Sequence, residues 1–205
     1  MCWSAEVSLN TFLFSFDVFI FAYAFGFEPK LLFLYFWFIV MQLVEYFLWK
    51  NLYDDYWNRI FSILAFSVLA IHPFAFTLII SNPILRGWFM GLYIIYLGLL
   101  IYTHFSKMGE IDYSVSVAEN GHLSWNWVDT YEVFYYLYIF FFIVLIIEKE
   151  YIAFIIIFTA HFYSFVTYYQ YDTFSSLWCW SANIVGVFII LRVLYEWSKK
   201  HDKRR

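Results

Sequence analysis

Charge is scarce in this chain. Only 14% of its 205 residues are Asp, Glu, Lys or Arg, against ~25% in an average soluble domain, which leaves too few to clothe a water-facing surface. Two cysteines, Cys2 and Cys179, are too few for a disulfide framework and lack any CxxC or Cys/His spacing for zinc, so no zinc site is expected. The formal net charge of −4 comes with no basic stripe outside residues 199–205, which excludes a nucleic-acid partner. The opening Met1-Cys2-Trp3-Ser4-Ala5-Glu6 lacks the basic region of a cleavable signal peptide, so the first apolar segment is expected to act as the targeting signal. No internal repeat, Gly-rich phosphate loop or potassium-filter sequence occurs.

What is abundant is apolar and aromatic: 64% hydrophobic residues, 27% aromatic. A helix needs about 20 apolar residues to cross a ~30 Å hydrocarbon core, and stretches of that length recur with short polar breaks. The pattern predicts an all-α integral membrane bundle of about seven helices, with spans near 9–27, 31–50, 59–81, 87–105, 130–148, 150–169 and 174–197, then a basic tail over 198–205. The run 131–169 is broken only by Glu148-Lys149-Glu150. Three adjacent charges at a bilayer centre would cost several kcal/mol, so a tight hairpin is expected there. Lys30, Arg86, Lys149, Arg192, Lys199, Lys200, Lys203, Arg204 and Arg205 fall on one side, against Lys50, Arg59 and Lys107 on the other. That bias places the N-terminus outside and the C-terminus in the cytoplasm, with six of the nine supplied by Arg192 and the tail. The outer segment 106–129 holds an alternating Gly121-His122-Leu123-Ser124-Trp125-Asn126-Trp127, whose tryptophans read as headgroup-level anchors.

Ionisable groups inside spans are expensive and mark functional sites by default. Asp17, Glu45, His72 and His161 lie within spans; His104 is expected at the interface. Gln42, Glu45 and Trp49 share one face of the second span, His161, Ser164 and Tyr168 one face of the sixth, and Cys179, Asn183 and Gly186 one face of the seventh. Polar stripes turn away from lipid, so Gln42, Glu45, His72, His161 and Asn183 are expected to converge as an intramembrane polar cluster or cavity, or to serve only as hydrogen-bonding glue between helices. Pro73 beside His72 removes one helical hydrogen bond and is expected to kink the third span. At the outer face the candidates are Cys2, Trp3, Glu6, His122, Trp125, Trp178 and Cys179. Cys2 and Cys179 both fall near the outer boundary, where they can pair as a disulfide, stay as thiols or hold a soft metal.

The opening Met1-Cys2-Trp3-Ser4, the Met41-Gln42-xx-Glu45-xxx-Trp49 face, His72-Pro73, Gly121-His122-Leu123-x-Trp125 and Leu177-Trp178-Cys179-Trp180 together resemble an uncharacterised multi-span membrane family of large DNA viruses, algae, protists and bacteria, whose members open on Met-Cys-Trp-Ser. The resemblance covers nearly the whole chain and implies the architecture, with no activity attached. Other seven-span families fit worse: the last span has no Schiff-base lysine for retinal and no Asn-Pro-x-x-Tyr, and His161 lacks the HxxxH partner of membrane zinc hydrolases. Three readings stay open. The chain is a sensor, carrier or channel with a polar intramembrane cavity; or a structural or assembly subunit among other membrane proteins; or a lipid-modifying enzyme using His122 as base with Glu6 or Glu45. Membrane lipid is the one partner common to all three, and the cofactor is left open.

Overall fold

The computed structural model describes residues 3–173 and 179–202. It is all-α apart from one small hairpin: α1 (Ala5–Ala24), α2 (Pro29–Lys50), α3 (Asp55–Ile79), α4 (Pro83–Ser106), β1 (Val115–Val117), β2 (Leu123–Trp125), α5 (Glu132–Phe140), α6 (Ile143–Ile147), α7 (Tyr151–Tyr168) and α8 (Cys179–Asp202). Among the described residues five helices, α1 to α4 and α7 with its 3-10 extension to Tyr171, are long and apolar enough to cross a membrane.

The first helices begin earlier than the apolar runs because capping residues, not hydropathy, set their starts. Ser4 accepts from the Val7 N–H at 3.3 Å, Asp54 from Trp57 at 3.0 Å, and Asn82 from Ile84 and Leu85 at 2.9 and 3.1 Å, each satisfying donors that a helix start leaves open. Pro29 and Pro83 occupy first helical positions, where a missing N–H costs nothing. α3 runs through Pro73 to Ile79 without interruption.

The expected fifth span, 130–148, is not one continuous helix, and its apolar helical part is shorter than the five long helices. A 3-10 turn takes Asp129–Tyr131, and the apolar helical stretch is Tyr136–Ile147, with Phe141 and Phe142 at the joint of α5 and α6. The cause is upstream, since Trp127, Val128 and Tyr131 are drawn into the core and hold the chain back from the helix start. Glu148-Lys149-Glu150 makes the turn into α7, with Lys149 in the left-handed region at φ 64°. α8 is described from Cys179 onward, and residues 174–178 lie outside the described residues.

α2 sits centrally, packed on α1 and α3, while α8 closes against α1 and α7. α1 presents Ser8, Thr11, Ser15, Val18 and Ala22 inward. Such a small-residue face allows close helix approach in lipid, where no hydrophobic force draws helices together. Gly186 of α8 meets it: a Cβ there would lie 2.7 Å from the Tyr35 hydroxyl and 3.1 Å from the Phe14 ring.

The loops gather at two ends. At one, the Asn58 side chain acts as a strand edge: Nδ2 donates to the Val115 and Leu52 carbonyls at 2.8 and 3.1 Å, and Oδ1 accepts from the Val115 N–H at 2.8 Å. At the other, Glu148 accepts from the Ser81 N–H at 2.8 Å and its hydroxyl at 2.6 Å, while Arg192 pairs with Glu150 and Glu196 and lies 5.3 Å from the centre of the Phe27 ring.

Candidate functional site

Three helices bring polar rings together in the middle of the bundle. His72 of α3 is fully buried and stacks on Phe38 of α2 with centroids 5.0 Å apart. Tyr138 of α5 lies 5.9 Å from the His72 ring and 6.2 Å from that of His161 on α7, so it bridges the two histidines. Phe142 closes over His161 at 4.8 Å. His161 Nδ1 donates to the Ile157 carbonyl at 2.9 Å. That bond fixes the tautomer, because a carbonyl can only accept; in the neutral ring Nε2 is left as the proton acceptor.

A second polar run leads toward this centre from the hairpin end. His104 Nδ1 is 2.8 Å from the Tyr113 hydroxyl, which is 2.9 Å from that of Tyr131. His104 and Tyr113 line a surface cleft of about 760 Å³ that also holds Asp55, Arg59 and Asp112. Tyr131 and Tyr138 line a narrow pocket of about 40 Å³. Beyond the histidines, Phe38 and Ile157 line another narrow pocket of about 40 Å³ that reaches Glu150 and Arg192. Those two in turn border a polar cleft of about 400 Å³ at the opposite end, with Glu28, Lys30, Glu148 and Glu196.

Of the expected cluster, Gln42, Glu45, His72 and His161 are all buried. Phe38, Gln42 and Glu45 rise along one face of α2, which puts Glu45 about 10 Å beyond the level of Phe38 toward the hairpin end. Asn183 belongs elsewhere, donating to the Thr11 hydroxyl at 3.1 Å between α8 and α1. Tyr138 carried no signal in the sequence, being one tyrosine among 19. His104, expected as a mere interface residue, heads the polar run.

The outer-face candidates separate. Trp3, just before α1, and Glu6, in its first turn, are both exposed. Trp125 is not a headgroup anchor: it is 1% exposed and stacks on Trp127 at 5.2 Å, because the hairpin folds both indoles down onto the helix ends. Cys2 and Trp178 lie outside the described residues, as does the side chain of Cys179, so their pairing has no structural account. Asp17 is exposed rather than enclosed. Among the described residues no group of three His, Cys, Asp or Glu is placed to hold a metal ion. Comparison of the chain with family models, curated proteins and solved structures gave no match.

His122 is buried in the turn that joins β1 to β2, with its ring 5.7 Å from that of Tyr168, and burial pushes its pKa below the ordinary 6.5. The folded state therefore binds this proton less readily than the unfolded one, and stability rises with pH across that window. Protection of the Leu123 and Trp125 amides against hydrogen exchange is expected to be full above pH ~7 and to fall as pH drops below about 6.5. His122→Gln should flatten the profile; a wild-type profile flat between pH 7 and 5 would show that His122 does not set it.

Proposed function

We propose that this chain is a seven-traverse membrane protein that passes protons between its two ends, with His72, Tyr138 and His161 as the central relay. The reading completes the five long apolar helices with α5–α6 and α8 as the remaining crossings, places the N-terminus and the 106–129 segment outside by the Lys/Arg bias, and agrees with the resemblance to the multi-span family opening on Met-Cys-Trp-Ser.

One observation carries it: polar rings and small cavities follow one another from the cleft at His104, through Tyr113, Tyr131 and Tyr138, to the histidines and on to Glu150 and Arg192. Imidazole and phenol groups both accept and donate protons, so each station can receive one on one side and release it on the other. The pockets between stations have room for a very few waters and none for a hydrated ion or an organic ligand, which favours protons as cargo. Glu45, enclosed in the same bundle, is a further proton-binding group on the hairpin side.

Purified chain in vesicles loaded with a pH-sensitive dye should dissipate an imposed pH gradient faster than protein-free vesicles when valinomycin and potassium supply the counter-charge. Tyr138→Phe keeps the ring and drops the hydroxyl, and His161→Phe drops the relay nitrogen; each is expected to slow the flux about tenfold or more. Wild-type flux equal to that of empty vesicles, or unaltered flux in Tyr138→Phe, would refute the relay.

A second reading, a subunit of a larger membrane assembly, is favoured by a separate observation: the exposed carboxyl group of Asp17 past the midpoint of α1. The lipid-enzyme reading gains no comparable support, since His122 is buried and Glu6 lies on the outer face of α1.

A further inference from the structure

α1 carries its polar residues on the wrong side for a solitary chain. Its buried residues Ser8, Thr11, Ser15, Val18 and Ala22 form one face. Diametrically opposite run Glu6, Asn10, Leu13, Asp17, Ile20 and Ala24, which at 3.6 residues per turn fall within about 80° of one another. All six are exposed, Leu13 by 49% and Ile20 by 50%. Their spacing, alternately three and four residues, is that of a helix seam rather than of a random surface. Leu13 and Ile20 supply the apolar steps, while Asn10 and Asp17 recur seven residues apart at equivalent positions.

Lipid gives neither Asn10 nor Asp17 a hydrogen-bond partner, and a polar group left so in hydrocarbon costs several kcal/mol. The occupant of this seam must therefore answer an amide and a carboxyl at fixed heights. A second copy does so by symmetry. Across a two-fold axis normal to the membrane, each residue of α1 meets its own counterpart. An Asn amide holds both donor and acceptor and pairs with another Asn amide; two carboxyl groups can hold one proton between their oxygens. Single polar residues at such seam positions are known to fix register and a two-stranded state.

We infer that the chain forms a parallel homodimer through the Glu6–Ala24 face of α1, with Asn10 and Asp17 of one copy hydrogen-bonded to Asn10 and Asp17 of the other. The inference rests on the membrane reading above and names the partner that the assembly reading leaves open; it does not depend on proton passage.

The test uses the full chain with Cys2→Ser and Cys179→Ser, reconstituted at high lipid excess. An alkaline carbonate wash comes first: release of the chain would overturn the membrane reading itself. With the chain retained, single cysteines at Leu13→Cys and Ile20→Cys are expected to cross-link to dimers under mild oxidation. Ile94→Cys, which is 63% exposed on α4 and as close to mid-helix, is expected not to. Equal yields at all three sites would mean random collision and overturn the dimer, as would absence of cross-links at 13 and 20. Asp17→Leu should weaken dimerisation about tenfold, while Asp17→Asn, which still donates and accepts, should retain most of it. An Asp17→Leu chain that dimerises as well as the parent would also overturn the inference, by removing the carboxyl from the interface.

Discussion

Leucine in place of Gly186 is expected to leave little or no folded protein. The smallest side chain already fails there: a Cβ would sit 2.7 Å from the Tyr35 hydroxyl, 3.1 Å from Phe14 Cε1 and 3.6 Å from Val18 Cγ2. Tyr35 cannot swing aside, being 2% exposed and hydrogen-bonded to the Ala182 carbonyl at 3.4 Å. Overpacking a tight interior costs about 1–3 kcal/mol per modest insertion, and leucine adds three carbons beyond the one that already clashes. α8 must then move off α1 and α2 together. Thermal unfolding in detergent, followed by intrinsic fluorescence and size exclusion, reads the loss; a wild-type midpoint for Gly186→Leu would show that α8 does not pack as described. Gly186→Ala should lose less, and Tyr35→Phe, which removes the oxygen nearest the new methyl group, should recover part of that loss.

Substitution of Asn58 by leucine is expected to cost about 3 kcal/mol and to release the hairpin first. The shape is nearly conserved, but Leu52 O, Val115 O and the Val115 N–H all lose their side-chain partner at a position only 4% exposed. The Ser62 hydroxyl loses its acceptor as well. Asn58→Asp should not rescue: its carboxylate can still accept from the Val115 N–H but would face the Leu52 and Val115 carbonyls with no proton to offer. Faster hydrogen exchange and protease cleavage confined to 106–129 would bear this out, whereas an unchanged hairpin would refute the strand-edge role.

Where α1 to α4 and α7 lie could be read because uninterrupted apolar runs and the residues that cap them are local properties of the chain. The burial of Gln42, Glu45, His72 and His161 was legible for a related reason, since each shares a helical face with other inward-turning residues. Asp17 shows the limit of that rule. Its helix has two faces with polar character, and the small one, Ser8 to Ala22, took the inside because it lets α2 and α8 approach closely. Tyr138 was hidden in an aromatic-rich run, and which of several neighbouring tyrosines meets two histidines is decided by the rotation of a short helix. Trp125 and Trp127 misled because alternation in a loop resembles an interfacial anchor until a hairpin, pinned by an asparagine 57 residues upstream of Val115, turns the indoles inward.

The two ends of the bundle are fastened by different materials. Near the hairpin the Asn58 amide and the stacked Trp125 and Trp127 indoles make a neutral fastening, all three residues being buried. At the other end it is ionic and wet, with the side chains of Glu150, Arg192 and Glu196 exposed by 17%, 27% and 44%. Mobile ions screen charges that water can reach and leave buried amides untouched. Added salt is therefore felt as a loosening force at one end of the bundle and hardly at all at the other: the molecule has a latch at one end and a weld at the other, and opening driven by salt begins at the latch.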